Sequence, residues 1–219
     1  MIRIKVGQDL LKANDRIARS NRELLRSRGI LCLNLISSPG AGKTSLLEVT
    51  CRRLGPGVRM AVIEGDLATD RDAARLERFG IPVVQINTGT ACHLDASMVS
   101  AALEELPLGE IDLLAIENVG NLICPAGWDL GESYRVMMLS VPEGHDKLAK
   151  YPLVVRKADL LVVNKTDLAE ACDFDWDVLA RDLEALNPAL EWIRMSCRTE
   201  EGVDEWIAWL RARMDVSAR

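Results

Sequence analysis

The chain has 219 residues, 48% of them hydrophobic, which is enough for one well-buried core. Its formal net charge of −6 at pH 7 argues against nucleic acid as a partner. We see no apolar stretch typical of a secretory signal, and no apolar run reaches the roughly 20 residues that cross a bilayer. Together with six scattered cysteines and no C-x-x-C pair, these features predict a cytoplasmic protein without a membrane partner.

Residues 7–28 have the pattern of an amphipathic helix with many basic side chains. The apolar positions at helical spacing, and the glycine that ends the helix, are Leu10, Ile17, Leu24, Leu25 and Gly29. The basic positions are Lys12, Arg16, Arg19, Arg22, Arg26 and Arg28. This helix either packs on the domain with a solvated basic face or docks a partner protein. We separate it, as an N-terminal helical segment over 1–29, from the domain over 30–219.

From residue 30 onward, short apolar runs alternate with helical patterns or polar loops. The runs are ILCLNLI, VRMAVIE, IPVVQIN, DLLAIE, RVMMLSV, DLLVVNK and EWIRM. Strands that are apolar throughout and separated by helices predict an α/β fold of three layers, in which helices cover both faces of a mostly parallel sheet. A final helix over 202–213 is expected to bury Trp206, Trp209 and Leu210 in the core.

The first predicted strand leads directly into SSPGAGKTSLLEV, which fits the phosphate-binding loop G-x-x-x-x-G-K-S/T except that Ser37 replaces the first glycine. The glycines of such a loop let backbone N–H groups face phosphate oxygens. Lys43 is expected to reach the β- and γ-phosphates, and Thr44 to offer its hydroxyl to Mg²⁺ at the start of a helix. An ordinary glycine turn would not need this lysine and threonine. The predicted nucleotide contacts in the loop are Gly40, Ala41, Gly42, Lys43, Thr44 and Ser45.

Two predicted strands end in carboxylates, at the edge where ligands bind in open α/β sheets. The run EGDLATDRDAARL places Asp66 at one such end, where it can contact Mg²⁺ or orient the attacking water. Asp70 is a weaker candidate, since it can instead cap the next helix. In DLLAIENVGN, Glu117 occupies the second acidic position expected in nucleotide hydrolases, and Gly120 can approach the γ-phosphate. The predicted catalytic residues are Lys43, Asp66 and Glu117, and the predicted Mg²⁺ ligands are Thr44, Asp66 and Glu117.

The run VVNKTD places Asn164, Lys165 and Asp167 after a strand, in the pattern N-K-x-D. An aspartate there can accept hydrogen bonds from guanine N1–H and the exocyclic amine, a pair of donors that adenine lacks. Ser196 and Cys197 follow the last strand, where a backbone contact to the base is expected. The ordered motifs predict a P-loop NTPase fold that binds GTP and GDP and hydrolyses GTP slowly.

The segment NTGTACHLDASMV contains Cys92 next to His93, one of only two histidines in the chain. Cys124 lies a few residues beyond Gly120, so both segments follow strands and should meet at the nucleotide edge. Thiolate and imidazole are preferred ligands of Zn²⁺ and Ni²⁺, and a symmetric dimer can pool three ligands per chain. The residues alone leave open whether these side chains bind metal or are helix-start residues and a buried thiol.

The chain resembles the hydrogenase nickel-incorporation GTPases of the HypB family, relatives of the urease accessory GTPases. The resemblance covers nearly the whole chain and rests on SSPGAGKTSLLE, EGDLATDRDAARL, TGTACHLDASMV, ENVGNLICPA, SVPEGHDKLAKYP and NKTDL. It implies a P-loop GTPase that forms a homodimer with nucleotide and delivers nickel to a metalloenzyme. It also implies a Ni²⁺ or Zn²⁺ site on Cys92, His93 and Cys124. The implied partners are a nickel-handling protein and the hydrogenase large subunit.

The chain departs from the family pattern in two places. Some members carry an N-terminal cysteine motif or a His-rich tract, which MIRIKVGQDLL lacks, so only the interface metal site is expected. His145 falls where the family more often has an acidic residue, and we interpret it as a loop residue. Adjacent Cys92 and His93 favour the hydrogenase branch, because the urease relatives typically carry Cys-Pro-His. The alternatives are an accessory GTPase for urease or another metalloenzyme, and a metal-free GTP-dependent protein switch.

Overall fold

A computed structural model describes residues 6–66 and 71–217. Within these ranges, seven strands form one sheet and eight α-helices surround it. The strands are β1 (Leu31–Ser37), β2 (Met60–Asp66), β3 (Val83–Asn87), β4 (Leu113–Glu117), β5 (Tyr134–Ser140), β6 (Leu160–Asn164) and β7 (Glu191–Arg194). The helices are α1 (Val6–Ser27), α2 (Lys43–Leu54), α3 (Arg71–Glu77), α4 (Ala96–Glu104), α5 (Lys147–Lys150), α6 (Pro152–Lys157), α7 (Trp176–Leu186) and α8 (Val203–Ser217).

The sheet confirms the predicted α/β class, and each of the seven apolar runs forms a strand. The strand order is β3-β2-β4-β1-β5-β6-β7, and all six strand pairs in the described sheet are parallel. Strand β1 pairs with β4 on one side and β5 on the other. Strands β2 to β4 therefore lie on one side of β1, and β5 to β7 on the other. Because the strands are parallel, the loops after β1, β2, β4 and β6 meet at one edge, where doubly wound sheets bind ligands.

Alternate residues along each strand enter two cores on opposite faces of the sheet. Leu33 and Leu35 of β1 pack with α2, α3 and α8. Cys32 and Ile36 of the same strand pack on the other face, against α1 and α4 through α7. Trp206, Trp209 and Leu210 are buried in the first core, as predicted. The sheet is therefore the middle of three layers.

The inward face of α1 differs from the one predicted from its leucines. Leu10 is 58% exposed and Leu24 is 37% exposed, whereas Leu25 is buried. The buried face combines Asn14, Ala18, Asn21 and Leu25. The prediction was wrong for Leu10 and Leu24, because the helix packs through two amides as well as through apolar side chains. The division between residues 1–29 and 30–219 stays a prediction.

Two further properties concern the described residues as a whole. None of their helices is both long and apolar enough to cross a membrane. All six cysteines carry free thiols.

Candidate functional site

The loop between β1 and α2 forms the floor of a cavity of about 450 Å³. Gly42 ends this loop with a φ of 103°, a left-handed conformation that glycine adopts without steric cost, and α2 begins at Lys43. The Lys43 ammonium donates a hydrogen bond to Ser37 Oγ at 3.3 Å. The Ser37 hydroxyl in turn donates to the Ser38 carbonyl at 2.7 Å. The serine that replaces the first glycine of the motif therefore braces the loop.

Glu117 and Asp66 lie where the sequence placed them, at strand ends beside this cavity. Glu117 is 4% exposed, and its Oε1 accepts a hydrogen bond from Thr44 Oγ1 at 2.9 Å. The Lys43 ammonium lies 4.0 Å from the same oxygen. Burial raises the pKa of the Glu117 carboxyl, and Lys43 and Thr44 act in the opposite direction. Asp70 lies outside the described residues.

Glu64 is a further acidic residue of this cavity, and it belongs to none of the predicted nucleotide or metal contacts. It is in register with Glu117 on the neighbouring strand, so the two carboxyl groups point to the same face of the sheet. Glu64 is 2% exposed, and its Oε2 has no hydrogen-bond partner among the described residues. Burial raises the pKa of Glu64 to about 8, with Glu117 and Asp66 acting in the same direction. A glutamate inside an apolar strand, two residues before Asp66, was the signal that could have revealed it.

The raised pKa of Glu64 predicts how the stability of the nucleotide-free protein depends on pH. The folded protein binds this proton more tightly than the unfolded chain, whose glutamate pKa is near 4.5. The stabilising contribution is complete below that value and is lost as pH rises towards 8. Glu64→Gln removes this titration. From pH 5 to pH 8, the free energy of unfolding of the variant should therefore rise by roughly 3 kcal/mol relative to that of wild type. Thermal unfolding at both pH values measures the difference, with exposed Glu77→Gln as the control. A difference between Glu64→Gln and wild type that stays constant with pH would refute this prediction.

The residues of the N-K-x-D pattern lie on the far side of the phosphate loop. Asn164 Nδ2 donates to the Ala41 carbonyl at 2.9 Å, and Lys165 Nζ donates to the Gly40 carbonyl at 2.7 Å. Asn164 Oδ1 accepts from the Cys197 backbone N–H at 3.1 Å. The amide and ammonium therefore join the phosphate loop to the segment after β7.

Asp167 lines a second cavity of about 400 Å³ together with Ser196 and Cys197. Ser196 Oγ donates a hydrogen bond to Asp167 Oδ1 at 2.6 Å. The two cavities share three lining residues, Gly42, Ser45 and Lys165. They are therefore adjacent, as the phosphates and the base of one nucleotide would require. We call the first the phosphate cavity and the second the base cavity.

Cys92, His93 and Cys124 are brought together by the loops after β3 and β4. One ligand atom from each side chain lies within 4.8 Å of the others, and all three residues are half-buried. Cys92 Sγ lies 3.7 Å from His93 Nδ1. Burial lowers the pKa of His93, which favours the neutral ring that metals bind. The imidazole also packs on Trp128, with ring centroids 4.6 Å apart.

Two asparagines attach this thiol–imidazole cluster to the strand end beside the phosphate loop. Asn118 is 1% exposed, and its Oδ1 accepts from the backbone N–H of Leu94 at 3.2 Å. Asn121 Nδ2 donates to the Cys92 carbonyl at 3.3 Å. Gly120, between these asparagines, lines the phosphate cavity. Sequence patterns could not reveal these contacts, because each joins residues far apart in the chain.

His145, the second histidine, lies away from this cluster. Its Nδ1 accepts from the Asp175 backbone N–H at 3.2 Å, and its ring packs edge-on against Phe174. These contacts agree with its interpretation as a loop residue.

Known proteins similar to this chain share most of its length. The family model described as "CobW/HypB/UreG, nucleotide-binding domain" matches residues 31–194. The hydrogenase maturation factor HypB of Azotobacter vinelandii is 51% identical over 97% of this chain and 73% of its own length. The crystal structure of hydrogenase maturation factor HypB from Archaeoglobus fulgidus is 45% identical, with a TM-score of 0.88 over 93% of this chain and 100% of that one. The structure of HypB from Helicobacter pylori in complex with nickel is 37% identical, with a TM-score of 0.90 over 94% and 97%.

Proposed function

The chain belongs to the HypB branch of the CobW/HypB/UreG family, and from this premise we propose that it hydrolyses GTP and carries nickel on Cys92, His93 and Cys124 during hydrogenase maturation. The observation that carries the proposal is the attachment of the thiol–imidazole cluster, through Asn118 and Asn121, to a segment that lines the phosphate cavity. A chain built only to switch partners with GTP would not need two thiols and an imidazole within 4.8 Å at this place.

Hydrolysis requires an attacking water, a neutralised γ-phosphate and a leaving GDP. Backbone N–H groups from Gly40 to Ser45 hold the phosphates, and Lys43 neutralises the β- and γ-oxygens. Asp66 orients the water, whose oxygen forms a bond to the γ-phosphorus as the bond to the β–γ bridging oxygen breaks. The products are GDP and inorganic phosphate.

Thr44, Asp66 and Glu117 would hold Mg²⁺, since hydroxyl and carboxylate oxygens are its preferred ligands. The 2.9 Å contact between Thr44 Oγ1 and Glu117 fits such a donor set, as does Glu117 Oε2, which has no hydrogen-bond partner within residues 6–66 and 71–217. When bound, Mg²⁺ would supply positive charge that offsets the negative charge of the triphosphate.

The base is recognised by Asp167, with Asn164 and Lys165 bracing the loop and Ser196 and Cys197 beside it. The Asp167 carboxylate has about four acceptor positions, so it can keep the Ser196 hydroxyl and still accept two hydrogens from guanine. The position of this cavity next to the phosphate cavity supports GTP and GDP as the ligands.

Nickel is the cargo in this proposal, and Zn²⁺ is the competing ion for the same three donors. Three ligands leave a four-coordinate ion incomplete, so we propose a homodimer that pools ligands from two chains. Ile123, next to Cys124, is 67% exposed, and an apolar side chain so placed supports a partner surface there. The cargo would come from a nickel-handling protein and pass to the hydrogenase large subunit, in a reducing compartment such as the cytosol.

The decisive experiment compares nickel binding by wild type and Cys92→Ala, each with GDP or a non-hydrolysable GTP analogue. The variant should lose tight nickel binding, because it loses one of three donors, while its GTP affinity stays unchanged. In wild type the two nucleotides should give different nickel affinities, and by linkage nickel should change nucleotide affinity by the same factor. Calorimetric titration measures both the nickel affinity and the nucleotide affinity.

Cys172→Ala is the matched control, because Cys172 is an exposed free thiol outside the cluster. It should bind nickel as wild type does. Identical nickel stoichiometry in wild type and Cys92→Ala would refute the metal assignment and return Cys92 and His93 to a local structural role.

A further inference from the structure

Two asparagines of α1 are buried on the face that packs against the domain. Asn14 is 5% exposed and Asn21 is 3% exposed. Asparagine is a weak helix former, and a buried amide costs free energy unless it is fully hydrogen-bonded. Two such residues, one above the other at a spacing of seven, indicate that the helix gains specific contacts at these positions.

The Asn14 side chain spans two separate loops. Its Oδ1 accepts a hydrogen bond from the Ala96 backbone N–H, and its Nδ2 donates to the Asp129 carbonyl, both at 2.8 Å. Ala96 lies three residues after His93, and Asp129 lies five residues after Cys124. One amide therefore bridges the two segments that carry the proposed nickel ligands.

Asn21 makes the same bridge two turns further along the helix. Its Nδ2 donates to the Ala96 carbonyl at 2.9 Å and to the Leu130 carbonyl at 3.1 Å. The two asparagines thus bond both the N–H and the C=O of Ala96. This residue begins α4, so its position fixes where the helix starts after His93.

The loop after Cys124 also touches α1 directly. A Cβ at Gly131 would lie 2.7 Å from the Ala18 carbonyl oxygen, so only glycine allows this approach. Arg22 Nη2 donates to Asp129 Oδ1 at 2.6 Å, in an ion pair whose side chains are about one third exposed. Trp128, next to Asp129, packs on the His93 ring. The helix therefore sets the position of the residues that flank the cluster on both sides.

We infer that α1 is a positioning element of the nickel site, with Asn14 and Asn21 holding the Cys92–His93 loop and the Cys124 loop at the separation that the ion requires. The inference rests on the proposed function, since it concerns the same three ligands. None of the described α1 residues belongs to the ligand cluster. Their effect passes through hydrogen bonds to the flanking backbone, in the way that outer-shell partners orient metal ligands.

The test uses Asn14→Leu and Asn21→Leu in the full chain, with NiCl₂ as the probe. Leucine keeps the branching of asparagine at Cγ, with larger methyl groups in place of the amide atoms, and removes both the donor and the acceptor. Each variant should bind nickel about 10- to 100-fold more weakly than wild type, the range seen for lost outer-shell partners. The thiolate-to-nickel charge-transfer absorption should shift, because the geometry of the sulfur ligands changes. GTP affinity measured without nickel should stay the same, since neither asparagine is among the residues that line the two nucleotide cavities in the described structure.

Asn187→Leu is the matched control for loss of stability. Asn187 Nδ2 donates to the Val155 carbonyl at 3.1 Å, a bond of the same chemistry that involves neither the Cys92–His93 loop nor residues 124–131. This variant should keep the nickel affinity and absorption of wild type. If Asn14→Leu and Asn21→Leu do not fold, Arg22→Gln decides, because its ion pair lies near the surface. It should weaken nickel binding severalfold, and an unchanged affinity would overturn the inference.

The outcomes separate this inference from the function on which it rests. Equal nickel binding by wild type and Cys92→Ala would show that the cluster is not the site, whatever α1 does. If Cys92 is required but the folded asparagine variants bind nickel as tightly as wild type, only the role of α1 is wrong.

Discussion

Replacing Lys43 by alanine is expected to reduce GTP turnover by about 10³-fold in a protein that still folds. Lys43 is 8% exposed, and its ammonium lies beside Ser37 Oγ and 4.0 Å from Glu117 Oε1, at the point where the β- and γ-phosphates would lie. Without this charge the negative charge of the transition state is not neutralised at that position. Single-turnover measurement of GTP cleavage, with the protein in excess of GTP and above the dissociation constant, gives the rate of the chemical step.

Loss of Lys43 also removes the nearest cation from the buried Glu117 carboxylate. Burial already raises the pKa of Glu117 and Lys43 opposes that rise, so the carboxyl of the variant takes up a proton more readily. This proton uptake lets the nucleotide-free variant keep its fold. Lys147→Ala is the control, because Lys147, on the short helix α5, forms its ion pair with Glu143. Hydrolysis by Lys43→Ala at the wild-type rate would place the active site elsewhere.

The second large effect is expected at the base. Asp167→Asn should lower GTP affinity by about 100-fold or more, because a carboxamide cannot accept both hydrogens of the guanine edge and leaves buried polar groups unpaired. The amide can instead donate a hydrogen bond to the carbonyl that xanthine carries in place of the guanine amine. The variant should therefore prefer XTP to GTP, whereas wild type prefers GTP. Competition titrations with fluorescent GDP measure both affinities.

A gain of XTP binding also distinguishes a changed base site from a damaged fold. Asp159→Asn serves as the matched control, because Asp159 accepts from the Arg135 backbone N–H at the start of β6 and is not among the residues that line the base cavity. It should retain the wild-type preference. Equal GTP affinity in wild type and Asp167→Asn would remove Asp167 from base recognition.

The sheet and the order of the nucleotide motifs were predictable because their signals are local. A strand buried on both faces is mostly apolar, and the runs that form β1, β2, β4, β5 and β6 have this pattern, whereas the edge strands β3 and β7 are only partly buried. The phosphate loop is one continuous stretch of sequence, and so is the N-K-x-D pattern. Parallel strands bring the loops that carry these motifs to one edge of the sheet. Cys92 and His93 could be identified from the sequence for the same reason, since they are adjacent and follow a strand.

The parts that could not be predicted depend on hydrogen bonds between distant residues. Leucine spacing suggested an apolar face for α1, but Leu10 and Leu24 are exposed and Asn14 and Asn21 point inward. An asparagine in a helix is more often solvated, and nothing near it in the chain identifies a partner 75 or more residues away. Asn118 and Glu64 were missed for similar reasons, because their partners or neighbours lie on other strands.

The position of β1 in the middle of the sheet has a consequence for synthesis of the chain. Leu33 is in register with Ala115 of β4 on one side and with Tyr134 of β5 on the other. Translation adds about 5–20 residues per second from the N-terminus, so β1 leaves the ribosome before either neighbour has been made. Pairing of strands so far apart in sequence is slow and leaves apolar edges open to aggregation. The nascent chain therefore carries β1 with at least one unpaired edge until β5, which ends at Ser140, has been made, and protection by chaperones matters most during that interval.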